Sequence, residues 1–232
     1  MVETSAVAGP ALTDTPAAEQ SPLRMSFEEF IKWAGEDILA ELVQGDVVMM
    51  TPASLPHQAL SMFLTRVLSD YVDVGEIGWI GTAPIALRLS PDTVREPDLL
   101  FVANDHLDRV KETCVDGPAD LVIEIVSADS VGRDRGEKYY EYEQAGIPEY
   151  WLIDSRTRRA EFYQLQGAYY QPMFPDAQGI YRSRVLPGFW LNVGWLQQEP
   201  LPDVEDVLLD VGGQDYAARQ IERLRRRGYL AG

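Results

Sequence analysis

The sequence predicts a mixed α/β fold, and three stretches carry that prediction. LAELVQGDVVMM, residues 39–50, reads as a β-hairpin with Gly45 and Asp46 at its turn. Residues 57–71 set Leu60, Phe63, Leu64, Val67, Leu68 and Tyr71 on one helical stripe. DLVIEIVS, residues 120–127, is followed by a helical pattern over 133–145 and a second apolar run, EYWLID, at 149–154. A strand–helix–strand unit of that length implies two parallel neighbouring strands joined by a right-handed crossover.

Order begins near Ser26, where SFEE has the serine-to-glutamate spacing of a capping box and predicts a helix over 26–34. Pro56 stands where a first helical residue tolerates proline, just before the 57–71 stripe. Strand signals follow at 77–81 and 84–89, and SPDTVREP reads as a loop. Pro97 suits the entry of a strand over 98–102, because its missing N–H is tolerated there. Residues 105–110 predict a helical turn. The 133–145 helix ends at Gly146 and Pro148 in the expected order. AEFYQLQ, 160–166, predicts a hairpin partner for 149–154, and 169–174, 182–186 and 191–193 carry further strand signals. Residues 200–213 read as a linker, and 214–227 as a helix with a basic end, RLRRR.

Of the 232 residues, 46% are hydrophobic and 25% charged, which is globular composition with ample length for a core. Cys114 is the one cysteine, which excludes an internal disulfide framework and fits a reducing compartment. No apolar run approaches the roughly 20 residues of a membrane span. The first residues lack the basic-then-apolar layout of a signal peptide, so the expected location is cytoplasmic. Residues 1–24 predict a disordered tail, 25–196 the main domain, and 197–232 a linker and C-terminal helix. The net charge of −17 repels nucleic acid on average, though local patches decide such binding more than the total. Two histidines and one cysteine make a nitrogen–sulfur zinc site improbable. Ser127 and Ser130 lack a histidine nearby in sequence, which leaves a serine hydrolase without support.

Three acids stand among apolar residues: Glu41 in AELVQG, Asp98 in REPDLLFV and Glu124 in LVIEIV. A lone ionised carboxylate in such surroundings costs several kcal/mol. Alternation puts Val122, Glu124 and Val126 on one strand face, with Ile123 and Ile125 on the other. Asp98 and Glu124 on adjacent strands would converge, and their repulsion is relieved economically by a hard divalent cation such as Mg²⁺. The alternative is that each acid caps backbone or pairs with Arg95, Arg133 or Arg135. His57, at a helix start, is a candidate partner or base, with Gln58 its polar neighbour. His106 lies in a polar loop.

The order of these stretches resembles a known family. PD, an apolar strand with a central acid, and a helix with a lysine resemble the PD-(D/E)xK nuclease fold. More closely, AELVQGDVVMM, TPASLPHQAL, REPDLLFV, DLVIEIVSADS, DRGEKYYEYEQAGIPEYWLID and LPGFWL resemble the Uma2 family of restriction-endonuclease-like proteins, across about residues 25–196. The resemblance implies a restriction-endonuclease-like mixed central sheet flanked by helices, with additional β-hairpins. Asp98 matches the PD aspartate, Glu124 the (D/E), and Glu41 the acid of the ELxxG motif. Val126 stands where the general signature wants lysine, and Lys138, on the following helix, matches the family's displaced lysine. His57 matches a histidine of the family's SPxxxHQ stretch.

The resemblance implies a Mg²⁺- or Mn²⁺-dependent endonuclease acting on DNA. Asp98, Glu124 and the Ile125 carbonyl would hold the metal, Glu41 and Lys138 would complete the catalytic set, and His57, Gln58 and Arg95 would support it. A homodimer with a basic groove would reconcile a DNA substrate with the acidic chain. The competing reading is a catalytically inactive binding or regulatory module on the same scaffold. A glycosidase built on a carboxylate pair is a third class, disfavoured by the lysine and the PD strand.

Overall fold

The computed structural model describes residues 23–35, 38–50, 52–126 and 131–230, with the side chains of Val131 and Arg133 excepted. The tail expected at 1–24 lies outside them except for its last two residues, as do Ser127 and Ser130. In chain order, α1 (Phe27–Ala34) precedes the hairpin β1 (Ala40–Val43) and β2 (Asp46–Met49). The long α2 (Leu55–Gly75) leads to β3 (Gly78–Thr82), β4 (Ala86–Ser90), β5 (Thr93–Arg95) and β6 (Leu99–Ala103). A 3₁₀ turn (Asn104–Arg109), β7 (Cys114–Asp116) and β8 (Leu121–Val126) follow. Next come α3 (Val131–Arg135), α4 (Glu137–Ala145), β9 (Glu149–Asp154), β10 (Arg159–Gln166) and β11 (Tyr169–Met173). The chain ends with β12 (Ile180–Arg182), β13 (Trp190–Asn192), a 3₁₀ turn (Trp195–Gln197) and α5 (Val204–Arg226).

Among the described residues, β11-β10-β9-β8-β6-β3 form a six-stranded sheet and β2-β1-β5-β4-β7 a five-stranded one. The β8–β9 pair is parallel, as the strand–helix–strand pattern predicts, and β6 runs antiparallel to β8. Period-two alternation then sorts the strand residues into two cores. Leu121, Ile123, Ile125, Trp151 and Ile153 pack beneath α2 and α5. Val122, Val126, Tyr150 and Leu152 face α4 and, through Leu87 and Val115, the five-stranded sheet. Glu124 belongs to the second face, so it points into the seam between the two sheets.

Local chemistry explains the helix starts. Ser26 and Glu29 form the reciprocal capping box that SFEE predicts. Ser54 caps α2 by accepting the His57 N–H, and Pro56 sits in its first turn. Several boundaries differ from the sequence reading. The first hairpin turns on Gln44 and Gly45, both at positive φ, rather than on Gly45 and Asp46. SPDTVREP is not all loop, because Thr93–Arg95 pairs with both β4 and β1. Three residues are too few to show alternation, as with β7. The 133–145 helix is two helices broken at Gly136, where a Cβ would stand 2.7 Å from the Gly132 carbonyl oxygen.

The predicted linker at 200–213 is helical from Val204, started by Asp203, whose side chain accepts the Glu205 and Asp206 N–H groups. Gly213, at φ 54°, is the only non-helical residue inside α5, so it marks a kink rather than a linker. Val204, Val207, Leu208 and Tyr216 are buried in the core beneath α2. Leu208→Ala is expected to cost about 2–5 kcal/mol in denaturant unfolding. Ile221→Ala, on the exposed side of the same helix, should stay within about 0.5 kcal/mol of the parent.

Candidate active site

The seam between the two sheets holds the three acids singled out above, and each arrives by a different route. Glu41 is the second residue of β1 and is fully buried. Asp98 follows Pro97 and immediately precedes β6. The β6–β8 register pairs Leu99 with Ile123, which carries Asp98 alongside Glu124. The Asp98 carboxylate accepts the Ile125 backbone N–H at 2.7 Å. It also meets His57 Nε2 at 3.1 Å. His57 reaches it from the first turn of α2, and its Nδ1 is buried with no hydrogen-bond partner among the described residues.

Lys138 is buried at the start of α4, against the ordinary expectation of a solvated lysine pairing with Glu137 or Glu141. Its Nζ lies 2.9 Å from Glu124 Oε1 and 3.0 Å from Glu41 Oε1. Asp134, one helical turn earlier, is 3.6 Å away. Tyr142, one turn later, donates its hydroxyl to Glu124 Oε1 at 2.6 Å. Glu124 Oε2 takes no hydrogen bond among the described residues. Arg95, at the end of β5 and wholly buried, donates to Glu41 Oε2 at 2.9 Å and holds Glu141 through two bonds of 2.6 and 2.8 Å. The Glu96 N–H completes the set by donating to Glu41 Oε1 at 3.2 Å.

The structure therefore brings together Glu41, Asp98, Glu124, Ile125, Lys138, His57 and Arg95. Gln58 is exposed on α2 and is not part of the cluster. His106 instead pairs with Asp120 at 2.9 Å, away from these acids. Asp134, Tyr142, Glu141 and Glu96 were not singled out from sequence. The first two were signalled by the four-residue spacing either side of Lys138, which stacks side chains on one helical face. Glu96 was signalled only by adjacency to the PD pair.

Charge balance in the seam is uneven. Burial pushes the Glu124 carboxyl up to about 8, and Asp134, Asp98 and Glu41 add to that push against the opposing Lys138. Burial and the Glu41 charge raise Glu96 to about 7. Burial would raise Glu41 too, but Lys138 and Arg95 outweigh it and hold its carboxyl below the usual range. Burial opposes charge on Lys138, yet Glu124, Glu41 and Asp134 keep it protonated well above the ordinary lysine value. His57 is likewise disfavoured as a cation by burial and restored by Asp98, with a net upward shift.

A model of the Uma2 family, described as "Putative restriction endonuclease", matches residues 27–194. The chain belongs to the Uma2 family. A crystal structure described as "a putative nuclease belonging to DUF820", from Anabaena variabilis ATCC 29413, shares the fold of this Uma2 protein with a TM-score of 0.59. The two are 16% identical, over 79% of this chain and 97% of that one. The uncharacterized protein sll1609 of Synechocystis sp. is 26% identical over 132 residues, 55% of this chain and 73% of its own length.

Two measurements check the charge arrangement. Arg95→Met removes the cation that offsets buried Glu41 and is expected to destabilise by about 3 kcal/mol or more in urea unfolding. Glu96 is an acid whose folded pKa lies above its unfolded one. Its contribution is therefore present at low pH and lost as pH rises through about 7. Relative to the parent, Glu96→Gln should gain thermal stability steadily from pH 5 to pH 8, and a constant difference across that range would contradict this balance.

Proposed function

We propose that this Uma2 protein is a metal-dependent endonuclease that hydrolyses phosphodiester bonds in DNA. The observation that carries this reading is the convergence of Asp98 and Glu124, from adjacent strands, with the Lys138 ammonium. The donor set suits a hard cation, because it offers carboxylate and carbonyl oxygen and an excess of negative charge. Among the described residues no three His, Cys, Asp or Glu side chains are placed so that they alone could hold a metal ion. The ion would then be held by Asp98, Glu124, the Ile125 carbonyl and water, a set Mg²⁺ accepts because it keeps several waters. Bound there, Mg²⁺ or Mn²⁺ supplies Lewis acidity toward a phosphate oxygen and an acidified water.

The remaining roles fall to the chain itself. His57 and the Ile125 N–H fix the orientation of the Asp98 carboxylate. Tyr142 and Lys138 both bind Glu124 Oε1, which leaves Oε2 as the atom free to face a ligand. Lys138 stays charged and places a fixed positive charge where a phosphorane would build up negative charge. Glu41 holds Lys138, and Arg95 holds Glu41, so the ammonium is preorganised.

A second reading rests on the same network. Lys138 and Arg95 are both surrounded by carboxylates, and such a closed network can dock two sheets without performing chemistry. Purified protein with Mn²⁺ is expected to nick single- or double-stranded DNA, with EDTA abolishing the activity. Glu124→Gln should lower the rate by about a hundredfold or more with far-UV circular dichroism unchanged. Lys138→Met should lower it at least as far and also lose stability in urea, because it leaves Glu124 and Glu41 without their shared cation. Wild-type protein that cleaves neither substrate and shows no Mn²⁺ binding by calorimetry would favour the inactive module.

A further inference from the structure

A cavity of about 520 Å³ opens beside the candidate site. Phe30 of α1, Trp79 and Ile85 are among its apolar lining, and Glu96, Lys111, Glu112 and Thr113 are its polar and charged residues. Two hydrogen bonds join this cavity to the acid cluster. The Glu96 N–H donates to Glu41 Oε1 at 3.2 Å. The Ala83 N–H donates to the Asp98 carbonyl at 3.1 Å, tying the Pro84–Ile85 rim to the PD segment. Of the acids in the seam, Glu96 is the one that lines the cavity.

Trp79 is shaped for this lining. A Cβ at residue 81 would stand 2.7 Å from the Trp79 indole and 2.8 Å from Ile85 Cδ1. Gly81 thus lets the indole and Ile85 lie down on the strand, and the half-buried ring contributes its remaining surface to the cavity.

The net charge narrows what can occupy it. A chain at −17 gains little from neutralising phosphates, the usual source of affinity for nucleic acid. Affinity must then come from contacts to bases, and aromatic side chains supply it because every base has a π-face. A base can reach such a wall only when it is unpaired or displaced from its stack.

We propose that the cavity between α1 and the β3–β4 connection binds one unstacked nucleobase beside the cleaved phosphodiester, stacked on Trp79 with Thr113 and Glu96 at its polar edge. The substrate class is accordingly single-stranded or locally unpaired DNA. The identity of the ligand rests on the nuclease reading, while the cavity's binding can be measured without turnover.

The test is fluorescence anisotropy of a labelled single-stranded 12-mer with Ca²⁺ in place of Mg²⁺, alongside Mn²⁺-dependent hydrolysis of an abasic phosphodiester strand, which has no aromatic ring to occupy the cavity. Wild type should prefer the single strand to the matching duplex and show shallow salt dependence. Trp79→Ala should weaken binding about tenfold or more, while Trp79→Phe retains most of it. Thr113→Trp, at an exposed position on the mouth, should block binding without touching the core. A 12-mer of abasic residues should bind wild type as weakly as the intact oligonucleotide binds Trp79→Ala. Hydrolysis of the base-free diester should be the same in all of these proteins. Equal binding by wild type, Trp79→Ala and Thr113→Trp, a preference for duplex, or no oligonucleotide binding would overturn the inference and leave the nuclease reading standing if the diester is hydrolysed. Trp79-dependent binding with no hydrolysis of any substrate would support the cavity and sink the nuclease reading instead.

Discussion

The Lys138 ammonium, shared among Glu124, Glu41 and Asp134, is the contact around which the seam between the sheets is arranged. Glu124 belongs to the six-stranded sheet, Glu41 to the five-stranded sheet, and Lys138 and Asp134 to the helices between β8 and β9. Taking an ammonium out of water costs several kcal/mol, so it persists only where oxygens replace its hydration. Arg95 makes a second tie of the same kind, joining β5 and β1 to α4 through Glu141 and Glu41. Apolar packing of Leu87 and Val115 against Val122 and Tyr142 would tolerate small slides. Short charge-assisted bonds from fixed positions do not, because their strength falls steeply with misalignment.

The same seam is not electrically balanced. Two cations, Lys138 and Arg95, face Glu41, Glu124, Asp134, Glu137 and Glu141, with Glu96 and Asp98 close by. Burial lifts Glu124 and Glu96 toward neutral pH, and the surplus of carboxylates adds to that push. Glu149 shows how a purely structural buried acid differs. Burial raises its pKa as well, but Trp151, Tyr181, Ser183 and the Arg184 and Val185 N–H groups all donate to it. Both of its oxygens are used by neutral donors, and nothing about it calls for a cation. Glu124 differs in taking both of its hydrogen bonds among the described residues, from Lys138 and Tyr142, on one oxygen.

This contrast also marks what the sequence could carry. The alternation in LVIEIV correctly sets Glu124 apart from Ile123 and Ile125, because a strand has one periodicity and both faces are covered. Adjacent placement of Asp98 followed from the order of the strands. The capping box at Ser26 and the helix at 57–71 were legible because their signals are local. Glu149 in EYWLID has the same acid-in-apolar signature as Glu124, and no sequence rule separates them, since the difference lies in donors 30 or so residues away along the chain. The three-residue strands β5 and β7 were illegible for a related reason: their pairing partners, not their composition, make them strands. At Gly136 the apolar pattern ran straight through a break, a non-helical position where a Cβ would meet the Gly132 carbonyl oxygen. The helix from Val204 was hidden by two glycines whose cost is offset by core contacts of Val207 and Leu208.

The position of Val126 gains a physical meaning from this geometry. A lysine there would lie on the same strand face as Glu124, since residues two apart share a face. That face is packed against Tyr142 and Tyr150, and Val126 is fully buried among them. A lysine at 126 would need its own carboxylates at that depth, where Val126 contributes roughly 1.5–3 kcal/mol of apolar burial instead. Supplying the ammonium from α4 separates the two demands. The strand keeps Val126 apolar, and α4 brings Lys138 with Tyr142 one turn after it. Asp134 reaches the same ammonium from α3, before the break at Gly136. A lysine displaced to α4 therefore meets carboxylates from both sheets and from the preceding helix, which offset the cost of its burial.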